Sequence, residues 1–286
     1  MTSTTSHRAT TATGSASESA NRRSSGWKRY RSLAMAEIRQ YLRNKTLLFM
    51  AIVFPIGVGL LMQFMGGDEQ PANAQVQAAI SMEVFFLITL MFVQFYSVLS
   101  MTTARRDERV LKRLRTGEAR SAEIIAALTT PGAIMSLLLT ALMSGILIIY
   151  TGDIPRTGIL LLLAIVLGIV ISTGLALLTS SITANAEAAQ MTSLPVMVLA
   201  MLSQSPLRST LPDQIQDPLA RTPFALLGDL TFIEWTGQPL TSDAAPTDGE
   251  LTTSLATAMN PLALMLVWSI ALMWAAFRYM KWETNR

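Results

Sequence analysis

Glu83 stands in the run "ISMEVFFLITLMFVQF" (80–95), a carboxylate among side chains that offer it no partner. Burying such a group unpaired costs several kcal/mol, so it reads either as a residue at a wetted boundary or as part of a path or gate through an apolar medium. Gln63 and Gln94 pose the same question with neutral amides, as does Gln190 more weakly; each suits a polar path or a hydrogen bond between helices. A second unusual stretch is "RRDERVLKRLRTGEAR" (105–120), with seven arginines and lysines between two apolar segments. Chemistry that needs clustered ligands has no candidates. The one histidine, His7, lies far from any acidic group in a Ser/Thr-rich stretch, there is no cysteine, and no G-x-x-x-x-G-K-[ST] phosphate loop occurs.

The elements that position these residues follow from composition. Of 286 residues 51% are apolar and 14% charged, and mean hydropathy is +0.41, a balance of a membrane protein and not of a water-soluble domain. A span needs about 20 mostly apolar residues. Six segments qualify, roughly 46–65, 80–103, 124–150, 158–182, 189–205 and 256–280. The fold class expected is therefore all-α and integral to the membrane. The net charge of +3 is no sign of nucleic acid, because the cations sit in short segments beside apolar runs. Nine Lys and Arg fall in 1–45, seven in 104–123 and three in 278–286, against only Arg156, Arg208 and Arg221 in the alternate loops. The positive-inside rule then puts both termini in the cytoplasm, with 104–123 a cytoplasmic loop.

Residues 1–26 are rich in Ser, Thr and Ala without an apolar run, and are expected to form a flexible cytoplasmic tail. From 27 to 45, Trp27, Tyr30, Leu33, Ala34, Ile38, Tyr41 and Leu42 recur at helical spacing, with Lys28, Arg29, Arg31, Arg39 and Arg43 elsewhere on the wheel. That pattern predicts an interfacial helix lying on an anionic leaflet. Residues 206–255 carry six prolines and seven acidic residues and read as an external loop, within which "PFALLGDLTFIEW" (223–235) is apolar enough to dip back into the membrane or cap its surface.

Inside the basic loop, Val110, Leu111 and Leu114 make a short apolar stripe flanked by Arg109, Lys112, Arg113 and Arg115, with Gly117 as a helix stop. Such an amphipathic helix can lie on lipid or plug a groove on a partner. In the fourth span Ala164, Gly168, Ser172, Ala176 and Ser180 recur every fourth residue, a ribbon that lets another helix approach closely. Seventeen methionines are enough to line an adaptable apolar pocket. Pro55, Pro131 and Pro195 are expected to kink their spans.

Three stretches carry a family resemblance. "LAMAEIRQYLRNKTLLFMAIVFPIGVGLLM" (33–62) resembles the amphipathic helix and first span of ABC-2 type transporter permeases. "TTARRDERVLKRLRTGEARSAEIIAAL" (102–128) is similar to their cytoplasmic coupling loop, and "MTSLPVMVLAMLSQSPLRSTLPDQIQDPLARTPFALLGDL" (191–230) to the fifth span and external loop of the drug-exporter-like branch. The resemblance implies a bacterial, multi-pass plasma-membrane exporter subunit. It would move a hydrophobic or amphipathic compound (drug, antibiotic or lipid), paired with a second permease subunit as homodimer or heterodimer. It implies too that the chain is no enzyme and binds no cofactor, ATP and magnesium residing on a separate cytoplasmic ATPase. Arg106, Glu108, Arg109, Val110, Leu111, Arg113 and Leu114 would then couple to that ATPase. Glu83, Gln63 and Gln94 remain the path or gate candidates. A self-contained secondary transporter or channel is the alternative, for which several intramembrane charges are expected, and a membrane enzyme lacks its acidic cluster. Reversing the charges of Arg109 and Arg113 together is expected to uncouple ATP hydrolysis from transport. Normal export by that double variant, measured in vesicles, would refute the coupling role.

Overall fold

The computed structural model of the chain describes residues 10–43, 45–65, 71–108, 120–238 and 251–280, and the regular structure among these is helical. Helix α1 (Thr10–Arg43) precedes the hairpin of α2 (Lys45–Met65) and α3 (Pro71–Ile88). α1 takes in residues 10–26 of the stretch expected to be a flexible tail; no proline interrupts the chain there, so nothing in the backbone stops the helix. α3 continues through a π-helical segment (Thr89–Tyr96) into α4 (Ser97–Asp107). Then come α5 (Ser121–Thr151), α6 (Ile159–Ile182), α7 (Ala188–Leu202), three short helices α8 (Ser205–Arg208), α9 (Asp213–Ala220) and α10 (Pro223–Thr236), and last α11 (Leu251–Tyr279).

Among the described residues, four stretches are long and apolar enough to cross a membrane: Ala74–Asp107, Ser121–Thr151, Ile159–Ile182 and Leu255–Tyr279. Two apolar helices are shorter, Ala51–Met65 and Ala188–Leu202. A helix of 15 residues, as α7 is, rises only about 22 Å against a hydrocarbon core of about 30 Å. The fifth span expected over 189–205 thus stops at Leu202, and the chain turns at Ser203 and Gln204 into α8.

α6 is the central element, in contact with α4, α5, α7, α10, α11 and the π segment. Its small-residue ribbon explains why: Ala164, Gly168, Ser172, Ala176 and Ser180 are all buried. A β-carbon on Gly168 would come within 2.6 Å of Leu90 in the π segment, and one on Gly174 within 2.9 Å of Leu272 Cβ and 3.1 Å of its carbonyl carbon in α11. The π segment is gripped from the other side by α5, where Gly132 leaves room for the Val93 carbonyl, 2.8 Å from where a β-carbon would stand.

The stretch 223–235 is no surface cap. Every residue of α10 but Asp229 is buried, and the helix packs on α3, α6 and α11. A helix apolar on all sides has no wet face to present, so it is driven inside. α1 packs on α5 and touches α2, with Ala34, Glu37 and Tyr41 turned inward and Trp27 and Leu42 exposed. Polar anchors fix it: Arg29 Nε reaches Glu123 Oε2 at 3.3 Å and the Tyr30 hydroxyl lies 2.9 Å from Thr130 Oγ1.

Close approach at Gly174 generates a test. Gly174→Val pushes methyl groups into the backbone of α11, where no side chain can swing away, and is expected to cost about 1–3 kcal/mol. A thermal midpoint in detergent equal to that of the unaltered chain would contradict the packing described.

Candidate functional site

Four methionines come together. Met62 of α2, Met91 of the π segment, and Met197 and Met201 of α7 line a cavity of about 350 Å³, together with Val58, Val84, Leu87, Ile88 and Phe92. Gln204, Pro206 and Leu207, the turn that follows α7 and the start of α8, complete the wall. No charged side chain is part of this wall. Unbranched thioethers repack around apolar guests of differing shape, and a cavity this size accommodates a drug-sized body.

The roof is pinned from behind by charge. Ser205, between Gln204 and Pro206, gives its backbone N–H to Glu83 Oε1 at 2.8 Å and its hydroxyl to Glu83 Oε2. Three residues on, Arg208 Nη2 reaches Asp229 Oδ1 of α10 at 3.1 Å. Glu83 is fully buried, not the wetted boundary residue that its place near the start of a span would allow. It fits because Gly228 leaves the space: a β-carbon there would stand 2.7 Å from the Glu83 carboxyl carbon. α10 is itself held to the same turn, since Thr222 caps it, accepting from the Ala225 N–H at 3.3 Å, and lies 2.8 Å from the Ser203 hydroxyl.

The two other amide candidates serve between helices. Ser81 Oγ lies 3.0 Å from Gln63 Oε1, joining α3 to α2, and Gln94 Nε2 donates to Thr173 Oγ1 of α6 at 2.9 Å. Neither lines the cavity, and Gln190 is exposed.

At the basic end, Arg106 departs from its expected place on a partner-facing surface. It is 3% exposed, and its guanidinium donates to the Ser180 carbonyl at 2.6 Å and to that of Thr183, the last acceptors of α6. A carbonyl end of a helix is its negative pole, and the buried cation there supplies the Thr183 carbonyl and shares that of Ser180 with the Thr183 N–H. The Thr183 hydroxyl is in turn 2.8 Å from that of Thr192 on α7. Arg105 is paired to Glu37 of α1, with Nη2 to Oε2 at 2.7 Å; burial pushes the Glu37 carboxyl above its usual range while Arg105 pulls it back. Glu108 is exposed. Arg109, Val110, Leu111, Arg113 and Leu114 lie outside the described residues.

The opposite end of α6 carries the complementary charge. Glu234 of α10, fully buried, accepts from the backbone N–H groups of Thr157 and Gly158 and from the Thr157 hydroxyl at 2.7 Å. Arg156 Nη2 donates to the Thr236 carbonyl at 3.1 Å, capping α10 in return. Gly237 permits this twice over, with φ of +77° and a guanidinium where a β-carbon would sit. Sequence reasoning passed over Arg208, Asp229 and Glu234. The signal that singled out Glu83, an acidic residue in an apolar run, is present again at Asp229 and Glu234 in "PFALLGDLTFIEW".

Arg106→Met leaves the buried Thr183 carbonyl without a donor, while that of Ser180 keeps the Thr183 N–H, and is expected to cost about 1–3 kcal/mol. The thermal midpoint should fall and Arg106→Lys should recover part of it; a midpoint unmoved by Arg106→Met would refute the cap.

Comparison with known proteins gives one family. The family profile described as ABC-2 type transporter matches residues 28–206. No curated protein matches the chain.

Proposed function

Because the chain belongs to the ABC-2 type transporter family, and so is a transporter permease subunit, we propose that it exports a hydrophobic or amphipathic compound across a bacterial plasma membrane. Drugs, antibiotics and lipids are the cargo classes that fit. The observation that carries this reading is the methionine-lined cavity, with no charged side chain on its walls among the described residues. A neutral or weakly amphipathic body loses water there without leaving a buried charge unpaired. In this reading six helices serve as spans, α2 and α7 among them, with both termini in the cytoplasm. A second permease subunit, identical or not, completes the path.

Energy comes from a separate ATPase carrying ATP and magnesium, since this sequence has no phosphate loop. The stripe Val110, Leu111 and Leu114, with Glu108, Arg109 and Arg113, docks on it. Arg106 then works inside the subunit. Movement of the loop reaches the end of α6 through the Ser180 and Thr183 carbonyls, and α7 through Thr183 and Thr192. Met197 and Met201 ride on α7. Glu83 acts as the latch of an outer gate: release of Ser205 frees the turn that roofs the cavity.

The self-contained secondary transporter keeps one argument, the group of buried Glu83 and Arg208 with half-buried Asp229, which supplies more charge among the apolar helices than Glu83 alone. Mass spectrometry of what co-purifies with the tagged chain separates the readings. An ATPase with a phosphate loop is expected with the unaltered chain and lost with Leu111→Asp plus Leu114→Asp, whereas none under several mild detergents favours the secondary transporter. Filling the cavity with Met197→Trp is expected to cut ATP-driven uptake of a neutral apolar dye such as Nile red into inverted vesicles by about tenfold or more, the effect of roughly 1.4 kcal/mol of lost binding. Undiminished uptake of that dye and of a fluorescent acyl lipid would refute the cavity's role.

A further inference from the structure

A second recess, of about 270 Å³, opens where the last turns of α1 meet the end of α4, walled by Gln40, Tyr41, Ser100, Met101, Arg105 and Glu108. Unlike the methionine cavity it gathers polar groups, and their partners are unevenly met. Arg105 is neutralised by Glu37 and also donates to Gln40 Oε1 at 3.0 Å. Tyr41 is only 5% exposed, and its hydroxyl has no hydrogen-bond partner. Burial pushes its ionisation up to about 12, so it stays a neutral hydroxyl with lone pairs to offer. Glu108 makes no ion pair among the described residues.

With Arg105 balanced by Glu37, the charge left over in the wall is the carboxylate of Glu108. The wall therefore calls for a compact cation that can donate hydrogen bonds to a carboxylate and a hydroxyl, which a primary ammonium does and a quaternary one does not. The surroundings say where that ammonium comes from. Next along the chain, Leu42 is 53% exposed and Phe49 of α2 57% exposed, apolar surface that suits acyl chains. Arg43 and Lys45, both exposed between them, are cations that suit a lipid phosphate.

We propose that this recess binds the headgroup of a phospholipid with a primary ammonium, its nitrogen at Glu108 and the Tyr41 hydroxyl and its phosphate toward Arg43 and Lys45. Such a lipid sits as a wedge between the interfacial helix and the end of the second long span. The proposal concerns the lipid bilayer only and stands whatever the cargo of the transporter.

The test uses the full chain, reconstituted in nanodiscs holding phosphatidylethanolamine, phosphatidylcholine and phosphatidylglycerol in equal amounts with identical acyl chains. Native mass spectrometry after release reads which lipids stay bound. Phosphatidylethanolamine is expected at about fivefold or more over phosphatidylcholine, the yield of one to two net hydrogen bonds. Tyr41→Phe and Glu108→Gln should each bring that ratio toward the bulk value. Tyr41→Phe removes a hydroxyl that no protein group uses, so an unchanged thermal midpoint separates lost binding from lost folding. Three results would overturn the proposal: retention at bulk ratio by the unaltered chain, a preference for phosphatidylglycerol, or a phosphatidylethanolamine preference intact in both variants.

Discussion

An apolar helix buried at its centre still ends in backbone groups without partners, and α6 meets that constraint with opposite charges. The N–H groups of Thr157 and Gly158, just before its first residue, face the Glu234 carboxylate, and the Ser180 and Thr183 carbonyls at its end face the Arg106 guanidinium. Both charges are nearly or fully buried, and each matches the pole it meets. Neither belongs to α6. Glu234 requires α10 to come back inside, and Arg106 requires α4 to end beside Ser180. The positions of the re-entering helix and of the basic loop's first turn are thus consequences of how one 24-residue helix is terminated.

The same economy recurs at the cavity. Its wall is apolar where a guest would lie, and the polar groups that hold the wall stand behind it. Ser205 turns to Glu83 while its neighbours Gln204, Pro206 and Leu207 face inward. A short helix cannot be held by apolar burial alone, and a buried carboxylate cannot remain unpaired, so each resolves the other's deficit. Removing either partner leaves an orphaned group in a buried place, which costs more than the hydrogen bond itself contributes.

Much of this was legible in residue order. The apolar runs and the distribution of cations marked the membrane helices and the basic loop, because hydrocarbon tolerates little but helices and cations are biased to one side. The four-residue ribbon of α6 announced close packing, and the helical spacing in 27–45 announced α1. Glu83, Gln63 and Gln94 stood out as polar groups in apolar stretches, and all three are hydrogen-bonded between elements. The early stop of α7 at Leu202 was not legible, since "MLSQSP" reads equally as the end of a span or a turn.

What the sequence determined by itself was which segments seek an apolar medium and where along the chain the cations gather, since both depend on local composition. Tertiary structure alone decided what each charge is for. Arg105 and Arg106 are neighbours of identical chemistry, yet one pairs with Glu37 on α1 and the other enters the protein to close α6. Glu83 and Ser205 are 122 residues apart. A charge in a medium of low polarity takes its role from the partner within a few ångströms of it, and that partner is set by how helices pack and not by what lies beside it in the chain.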